Sequence, residues 1–350
     1  MHKEIFIGAL WLALSVSLPQ ARAQNVATLS GNVYDAVNHA PLMSVNVFLA
    51  NTMLGNQTDS NGAFTIRNVP FGTHELVVSM LGYEVQRTSV RVTQEHVTDL
   101  RFQLVSKPLF GPEVEVVAEE PNVWKKNLNK FEKMFWGKSR FAGECKLLNA
   151  EVLDFSEDEG GWFSATASQP VRFENRALGY RLEIILSKFE YHEGRNEIRY
   201  SVIPRFEEMT ARDVNEARRW ERNRLKAYHG SLRHFLRALV TERAHTEGFK
   251  VYTMPQLPWN ERVTKHLLVK PERILSAGDL PTERRLSFEN YLEIEFNSER
   301  DRTSWMTTTT QSVLLNEAGY VYSGLDVFVY GYWFHQRLAE ALPREYVPVE

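Results

Sequence analysis

Short runs of alternating apolar and polar residues fill the chain from residue 27 to residue 104, with Gly, Asn, Asp and Pro between them. Regularly spaced short runs of this kind are typical of a β-sandwich. We therefore expect an all-β first domain at residues 24–105. Its seven predicted strands are 28–34, 45–49, 56–59, 63–69, 74–80, 84–92 and 98–104.

Two segments of this region carry the residues that tight turns require. Residues 59–62 read Asp-Ser-Asn-Gly, and Gly62 tolerates a positive φ, while Pro70 and Gly72 mark a second turn. A calcium loop is the alternative interpretation of residues 59–62, but an EF-hand loop needs a glutamate at the position of Asn68. We interpret the segment as a hairpin turn.

The pattern changes at residues 106–121, where prolines and a glycine interrupt the strands and predict a linker with a short strand at 114–117. A helix is predicted at 122–137, because aromatic and leucine residues recur at helical spacing. Its apolar stripe consists of Trp124, Leu128, Phe131 and Phe135. We expect this stripe to pack into a core rather than to bind a ligand.

Strands return at 161–167, 181–189 and 196–206. From residue 180 into the second of these, two faces alternate. Tyr180, Leu182, Ile184 and Leu186 fall on one face, and the other face has Arg181, Glu183 and Ile185. This alternation predicts an antiparallel sheet that is covered on one side.

An arginine-rich helical pair follows. One helix is predicted at 211–228, and Ser231 is the expected N-cap of a second helix at 232–243. Basic residues outnumber acidic ones here, and leucines mark the side of the pair that should be buried. We expect the arginines to point mainly outward and the buried side to contain Leu225, Leu232, Leu236 and Leu239.

This patch is the predicted binding site. Bidentate arginine side chains and a helix N-terminus can donate hydrogen bonds to a phosphate, a lipopolysaccharide headgroup or an acidic partner. The alternative is a solvent-exposed helix face on which glutamates alternate with the arginines. His229 and His234 do not share the spacing of a helical metal pair, so no catalytic residue, metal ligand or cofactor is predicted. The candidate binding residues are Arg218, Arg219, Arg222, Tyr228, His229, Ser231 and Arg233.

The C-terminal part predicts strands at 266–269, 291–296, 312–315 and 326–332, and a helix at 334–342 that ends before Pro343. Residues 122–350 are therefore expected to form an α+β domain with antiparallel strands. Aromatic residues are dense near its end, as a sugar-stacking platform would require, although strand alternation places half of them in the core. They are Tyr320, Tyr322, Phe328, Tyr330, Tyr332, Trp333 and Phe334.

The first domain carries a combination of residues that resembles the carboxypeptidase-regulatory-like domain, a transthyretin-like β-sandwich. The matching positions are Gly31, Asp35, Pro41, Gly55, Phe64 and the segments 45–48, 58–62, 69–72 and 81–83. The resemblance implies an exported protein of Bacteroidota, where such domains stand at the N-terminus of TonB-dependent transporters and other envelope proteins. Segments 174–180, 228–239 and 342–346 resemble a family of exported proteins with such a domain, and this implies no particular reaction.

The name of the domain raises the question of peptidase activity. Zinc carboxypeptidases bind their metal with a His-x-x-Glu pair and a distant histidine. None of the ten histidines is followed by a glutamate at that spacing, and His-Glu-x-x-His is also absent. The sequence therefore gives no support to a zinc peptidase.

Residues 1–23 contain Lys3, an apolar run and the Ala-Arg-Ala end of a secretory signal peptide. The apolar run is shorter than a membrane span, which is the alternative. Cys145 is the only cysteine, so no internal disulfide forms, and we expect a small, partly buried side chain rather than a reactive thiol. The formal net charge of -3 and the predicted export both argue against nucleic acid as a partner.

We expect a noncatalytic, exported cell-envelope protein in the periplasm or on the surface of a Gram-negative bacterium, with no membrane span after signal cleavage. Its partner would be an envelope protein or a glycan. Two alternatives stay open. One is a carbohydrate-binding accessory protein, and the other is an envelope-polymer hydrolase whose carboxylates come together only on folding.

Overall fold

A computed structural model describes residues 26–107, 121–195, 197–259, 261–322 and 326–348. The predicted signal peptide, the predicted strand at 114–117 and most of the predicted linker lie outside the described residues. Within the described ranges, no helix has both the length and the apolar character that crossing a membrane requires.

The first part is a seven-stranded sandwich, as the pattern predicts. Its strands are β1 (Val26–Asp35), β2 (Asn46–Leu49), β3 (Gly55–Gln57), β4 (Ala63–Pro70), β5 (Gly72–Ser79), β6 (Gln86–Val92) and β7 (His96–Leu104). One sheet has the order β4-β1-β7 and the other β3-β2-β5-β6. β1 and β7 run parallel, and the other pairs run antiparallel. Alternate residues of β1, including Leu29 and Val33, are buried between the two sheets.

The segment at residues 59–62 forms the expected turn. The Asp59 carboxylate accepts hydrogen bonds from the backbone N–H groups of Asn61 and Ala63, at 2.8 and 2.9 Å. Gly62 has a φ of 72°, and a Cβ there would lie 2.5 Å from the carbonyl oxygen of Val33. The turn interpretation is confirmed, because the Asp59 carboxylate accepts hydrogen bonds from backbone N–H groups of the turn.

A six-stranded antiparallel sheet forms the centre of the second part. Its strands are β8 (Cys145–Leu147), β9 (Leu153–Glu157), β10 (Trp162–Ala167), β11 (Val171–Asn175), β12 (Tyr180–His192) and β13 (Glu197–Glu208). The helix α1 (Pro121–Trp136) buries Phe131 and Phe135 against it, so the predicted aromatic stripe is core. β8, β9 and β11 were not predicted, since β8 has only three residues and β9 and β11 have only five each.

This sheet is covered on both faces, so the prediction of one covered side is wrong. Ile185 and Ile203, on its second face, pack against Phe48 and Val77 of the sandwich. The chain between β2 and β3 reaches across, and the N–H of Asn51 donates to the carbonyl of Pro204 at 2.8 Å. Apolar residues among the charged ones on that face are explained by this contact.

Two smaller antiparallel sheets complete the second part. The five-stranded sheet has β14 (Phe249–Met254), β15 (His266–Leu267), β18 (Tyr291–Phe296), β19 (Ser304–Thr308) and β21 (Val327–Gly331), and the three-stranded sheet has β16 (Leu275–Ala277), β17 (Glu283–Leu286) and β20 (Val313–Asn316). The four strands predicted in this region correspond to β15, β18, β20 and β21, and the other four were missed. The fold is an all-β sandwich joined to an α+β part, as expected.

The helical pair consists of α2 (Val214–Tyr228) and α3 (Leu232–Val240), both shorter than predicted. α2 begins later because Asp213 is the N-cap, with its carboxylate accepting from the N–H of Glu216. α3 ends earlier, because Glu242 takes a φ of 58° that no helix allows.

The predicted helix at 334–342 is wrong. The chain instead forms one helical turn, α4 (Tyr332–His335), and a separate 3-10 turn, Leu338–Glu340. Arg337 interrupts the helix with a non-helical backbone, φ −132° and ψ −146°. Its guanidinium turns inward and donates to the carbonyls of Phe334 and Met134.

Candidate functional site

The helix α2 holds the turn between β11 and β12 through side chains. Trp220 Nε1 and Asn223 Nδ2 donate to the carbonyls of Arg176 and Ala177, both at 2.8 Å, and Arg224 Nε donates to that of Leu178 at 2.7 Å. Gly179 closes the turn with a φ of 71°. Within segment 174–180, the carbonyls of the turn residues 176–179 therefore face one helix.

The arginines predicted on α2 therefore divide into two groups. Arg219 pairs with Glu144 at 2.8 Å and also donates to the carbonyl of Arg176. Arg218 and Arg222 are exposed and have no ion pair among the described residues. The expected outward orientation holds for Arg218 and Arg222, whereas Arg219 and Arg224 bind protein groups, because the β11–β12 turn lies directly under the helix.

Ser231 is the N-cap of α3, as predicted. Its hydroxyl accepts a hydrogen bond from the N–H of His234 at 3.1 Å. Leu236 and Leu239 are buried, and Leu232 and Leu225 are half-buried, so the leucine side faces the core. The cap stabilises the first turn of the helix in the place where we predicted a ligand.

His234 and His229 have different environments. His234 is buried, and its Nδ1 accepts from the N–H of Gly230 at 2.9 Å, so Nε2 carries the proton and donates to Glu247 at 2.9 Å. Burial first, and the neighbouring His229 second, lower the pKa of His234 to about 3. His234 is therefore neutral at neutral pH and anchors the loop before α3, while His229 lies exposed on the surface.

Arg233 of α3 binds the C-terminal segment 343–346 by hydrogen bonds. Its guanidinium donates to the carbonyls of Pro343, Arg344 and Tyr346, each at 2.8 Å, and lies 4.5 Å from the ring centroid of Tyr320. These contacts give a structural role to segment 342–346, which the sequence analysis singled out. They join residues more than 100 positions apart, so no local pattern could predict them.

A cavity of about 390 Å³ lies where the helical pair, β13 and the C-terminal segment meet. We call it the interdomain cavity, because Asn51 of the chain between β2 and β3 also lines it. Tyr228, Ser231 and Arg233 of the predicted site line it, whereas Arg218, Arg219, Arg222 and His229 do not. Most of the remaining wall is apolar. It includes Val202, Leu236, Val321, Val329 and Leu342.

The polar residues in the wall of this cavity that the sequence analysis missed include Tyr200, Gln336, Arg337 and Glu340. Arg337 is 9% exposed, and burial lowers its pKa. Glu340 accepts a hydrogen bond from Gln336 Nε2 at 2.5 Å, and burial raises the pKa of its carboxyl. Gln336, Arg337 and Glu340 belong to one short segment, and only folding places it beside Tyr200 of β13.

A second concave region of about 610 Å³ lies on the sandwich, between β6 and β7. Two of its polar side chains bind other residues of the sandwich. Arg87 pairs with Glu75, and Gln86 Nε2 donates to the carbonyl of Gln103 at 2.9 Å. We therefore take the interdomain cavity, not this groove, as the candidate site.

Aromatic side chains cover the outer face of the five-stranded sheet. Tyr252, Glu293, Trp305 and Tyr330 lie directly opposite one another across β14, β18, β19 and β21. Trp259 is 56% exposed, and its ring centroid lies 5.2 Å from that of Trp305 and 6.3 Å from that of Tyr330.

Only part of the predicted aromatic platform contributes to this face. Phe328 and Tyr330 are on it, whereas Trp333 is buried and its indole N–H donates to the carbonyl of Gly230 at 2.7 Å. Trp259 and Trp305 were missed, because they lie far from the other aromatics in sequence.

The described residues contain no cluster of histidine, cysteine and carboxylate side chains that could hold a metal ion. Cys145 is partly buried, as expected, and its Sγ lies 3.6 Å from the carbonyl of Phe141. Burial raises the pKa of its thiol to about 12, so the thiolate is scarce at neutral pH.

Residues 29–116 match the family model of the CarboxypepD_reg-like domain. This confirms the resemblance of the sandwich, over well under half of the chain. No curated protein matches the chain.

Several solved structures are similar to parts of the chain. One is a mutant type II cohesin–X-dockerin complex from Acetivibrio cellulolyticus, with 24% identity, a TM-score of 0.20 and coverage of 23% of this chain and 58% of that one. BcpA, the major pilin subunit of Bacillus cereus, has 13% identity and a TM-score of 0.22, with 24% and 31% covered. A putative carbohydrate binding protein from Bacteroides uniformis has 7% identity and a TM-score of 0.20, with 52% and 99% covered. TM-scores this low support no functional inference.

Proposed function

We propose that the protein is a noncatalytic, exported binding protein of the cell envelope, and that the interdomain cavity is its ligand site. The observation that carries this proposal is an apolar cavity whose wall contains Tyr228, Ser231 and Arg233. Concave, mostly apolar sites with a few polar groups are the usual form of small-molecule sites.

The chemistry of the wall favours binding over reaction. The Ser231 hydroxyl caps α3, the Arg233 guanidinium binds backbone carbonyls, and the Tyr320 hydroxyl donates to the carbonyl of Leu342 at 2.9 Å. These groups hold the wall in place. Glu340 is the one carboxylate among the described residues of the wall, whereas a polymer hydrolase would need two carboxylates facing each other.

A neutral apolar fluorophore, N-phenyl-1-naphthylamine, tests the site. We expect its fluorescence to rise with mature protein, residues 24–350, and expect the Val329→Phe variant, which fills the cavity, to weaken binding about tenfold or more. Val37→Phe, on an exposed turn of the sandwich, is the matched control. Fluorophore binding that is equal in all three proteins would contradict the proposal.

Export is a separate part of the proposal. It is supported by the residue pattern of positions 1–23 and by the domain matched at 29–116, a type that the resemblance places in envelope proteins. Expression of the full chain in a Gram-negative host should yield a fractionated protein whose intact mass corresponds to a start at Gln24. An uncleaved protein in the cytoplasm would contradict export.

Binding to a glycan is the second candidate function, favoured by the exposed Trp259 beside Trp305 and Tyr330. Aromatic rings next to hydrogen-bonding groups suit sugars, which have both apolar and polar faces. Trp259→Ala should abolish retardation of the protein in gels that contain an envelope polysaccharide, while Val269→Ala, at another exposed apolar residue, should leave it intact. Equal retardation of both variants would exclude this face.

A further inference from the structure

Arg337 is a buried cation without a carboxylate partner among the described residues. The guanidinium donates to the carbonyls of Phe334 and Met134, and it lies 4.8 Å from the ring centroid of Phe334. Met134 is in the last turn of α1, whose C-terminal end supplies at most about half an elementary charge. A net positive charge therefore remains at the edge of the cavity.

Tyr200 places a second donor in the same wall. Its hydroxyl has no hydrogen-bond partner among the described residues, and Arg337 is the charged group that acts on it. Tyr200 is half-buried, and a ligand oxygen in the cavity would accept a hydrogen bond from its hydroxyl. Arg337 and Tyr200 thus form a pair of donors on one side of an otherwise apolar cavity.

Glu340 does not neutralise Arg337. Its carboxyl contacts Gln336, and the charges that act on it are those of Arg302 and Arg140. Burial raises the pKa of this carboxyl, which favours its uncharged form. Among the described residues of the wall, Arg337 therefore offers an anion a guanidinium that no carboxylate pairs with.

We propose that the cavity binds a small amphipathic carboxylate, with the carboxylate at Arg337 and Tyr200 and the apolar body against Val202, Val329 and Leu342. A charge-assisted contact between a guanidinium and a carboxylate fixes the head of the ligand. The apolar wall takes the body out of water. This inference rests on the proposed function, because it specifies the ligand of the same cavity.

Three probes with the same ten-carbon chain separate the effect of the head from that of the body: decanoate, decan-1-ol and decyltrimethylammonium. Displacement of N-phenyl-1-naphthylamine measures each affinity. We expect decanoate to bind about tenfold tighter than decan-1-ol, since hydrogen bonds to charged groups are worth about 1.5–3 kcal/mol and each 1.4 kcal/mol is tenfold. The ammonium probe should bind most weakly.

Two variants locate the head group. Arg337→Met should make decanoate and decan-1-ol bind equally, but this change also removes a contact to α1. Tyr200→Phe removes only a hydroxyl and should leave the fold intact, and we expect it to weaken decanoate about threefold and decan-1-ol by less than about twofold.

The outcomes separate this inference from the proposed function. If decan-1-ol displaces the fluorophore as well as decanoate does, or if Tyr200→Phe changes neither affinity, the carboxylate site is overturned while the cavity remains a binding site. If the ammonium probe binds most tightly, the sign of the charge is wrong. If no fluorophore binds to the wild type, both proposals fail.

Discussion

The sandwich and the α+β part are stabilised by different kinds of contact. In the sandwich, inward residues of both sheets, such as Leu29 of β1 and Val78 of β5, form the core. The alternation that produces this core is visible in the sequence of each strand. In the α+β part, arginines reach carbonyls 46, 113 and 203 positions away, through Arg224, Arg233 and Arg337. Periodicity therefore describes the first region well, whereas the second also depends on long-range contacts of side chains that look like surface residues.

The largest expected effect compares two glycines with positive φ, one in each region. A Cβ at Gly179 would lie 2.2 Å from the ring of Trp220, whereas a Cβ at Gly82 would meet nothing within 4 Å. Gly82→Ala should lower the free energy of unfolding by about 1 kcal/mol through backbone strain alone. Gly179→Ala should lower it by about 3 kcal/mol or more, because α2 must move. Urea unfolding measures both, and equal losses would show that α2 is not fixed on this turn.

The next effect tests the arginine contacts directly. Arg233→Met leaves the carbonyls of Pro343, Arg344 and Tyr346 without their donor, so we expect a loss of about 2–3 kcal/mol in the free energy of unfolding. Arg218→Met, on an exposed face, should change it by less than about 0.5 kcal/mol. Comparable losses in the two variants would contradict a special role for Arg233.

A third effect should be similar in both regions, because each contains one buried histidine. Burial lowers the pKa of His74 in the sandwich to about 4 and that of His234 in α3 to about 3, against an ordinary value of 6.5. Both folded pKa values are depressed, so stability is full above pH 6.5 and falls as the pH drops toward 4. At pH 5 each of these histidines should lower the free energy of unfolding by about 2 kcal/mol relative to pH 8.

Urea unfolding between pH 8 and pH 5 measures this dependence. His74→Gln and His234→Gln should each reduce the loss of unfolding free energy between pH 8 and pH 5 by the contribution of one histidine. His96→Gln, at an exposed position, should leave this loss unchanged. If neither buried variant alters the slope, other groups cause the acid sensitivity.

The smallest effect concerns exposed ion pairs, one in each region. The Arg219–Glu144 and Arg87–Glu75 pairs are both well exposed to solvent, which screens them. Arg219→Met and Arg87→Met should each lower the free energy of unfolding by less than about 1 kcal/mol, and by less still in high salt. A larger, salt-independent loss for Arg219 would indicate that its contact with the carbonyl of Arg176 dominates.

The predictions from sequence succeeded where a residue's environment follows from its near neighbours. The strands of the sandwich, the aromatic stripe of α1 and the cap at Ser231 were all predicted. They failed where an element is very short, as in β8 and β16, or where a distant contact decides the backbone, as at Arg337. A three-residue strand has too little alternation to be recognised, and its pairing partner supplies most of its stability.

The candidate site divides in the same way. Tyr228, Ser231 and Arg233 were predicted and line the cavity, because they belong to one helical pair. Tyr200, Arg337 and Glu340 were not, since they lie on other elements and have no motif around them.

By itself, the sequence determined the β-sandwich, the helical pair and the apolar faces of both, because hydrophobic periodicity and turn residues act over a few neighbouring positions. Only the tertiary structure decided which arginines hold the protein together, which remain exposed, and that Arg337 and Tyr200 face one cavity. The reason is physical: the partner of a long polar side chain is a carbonyl or hydroxyl that any residue can present, so its identity depends on packing rather than on sequence.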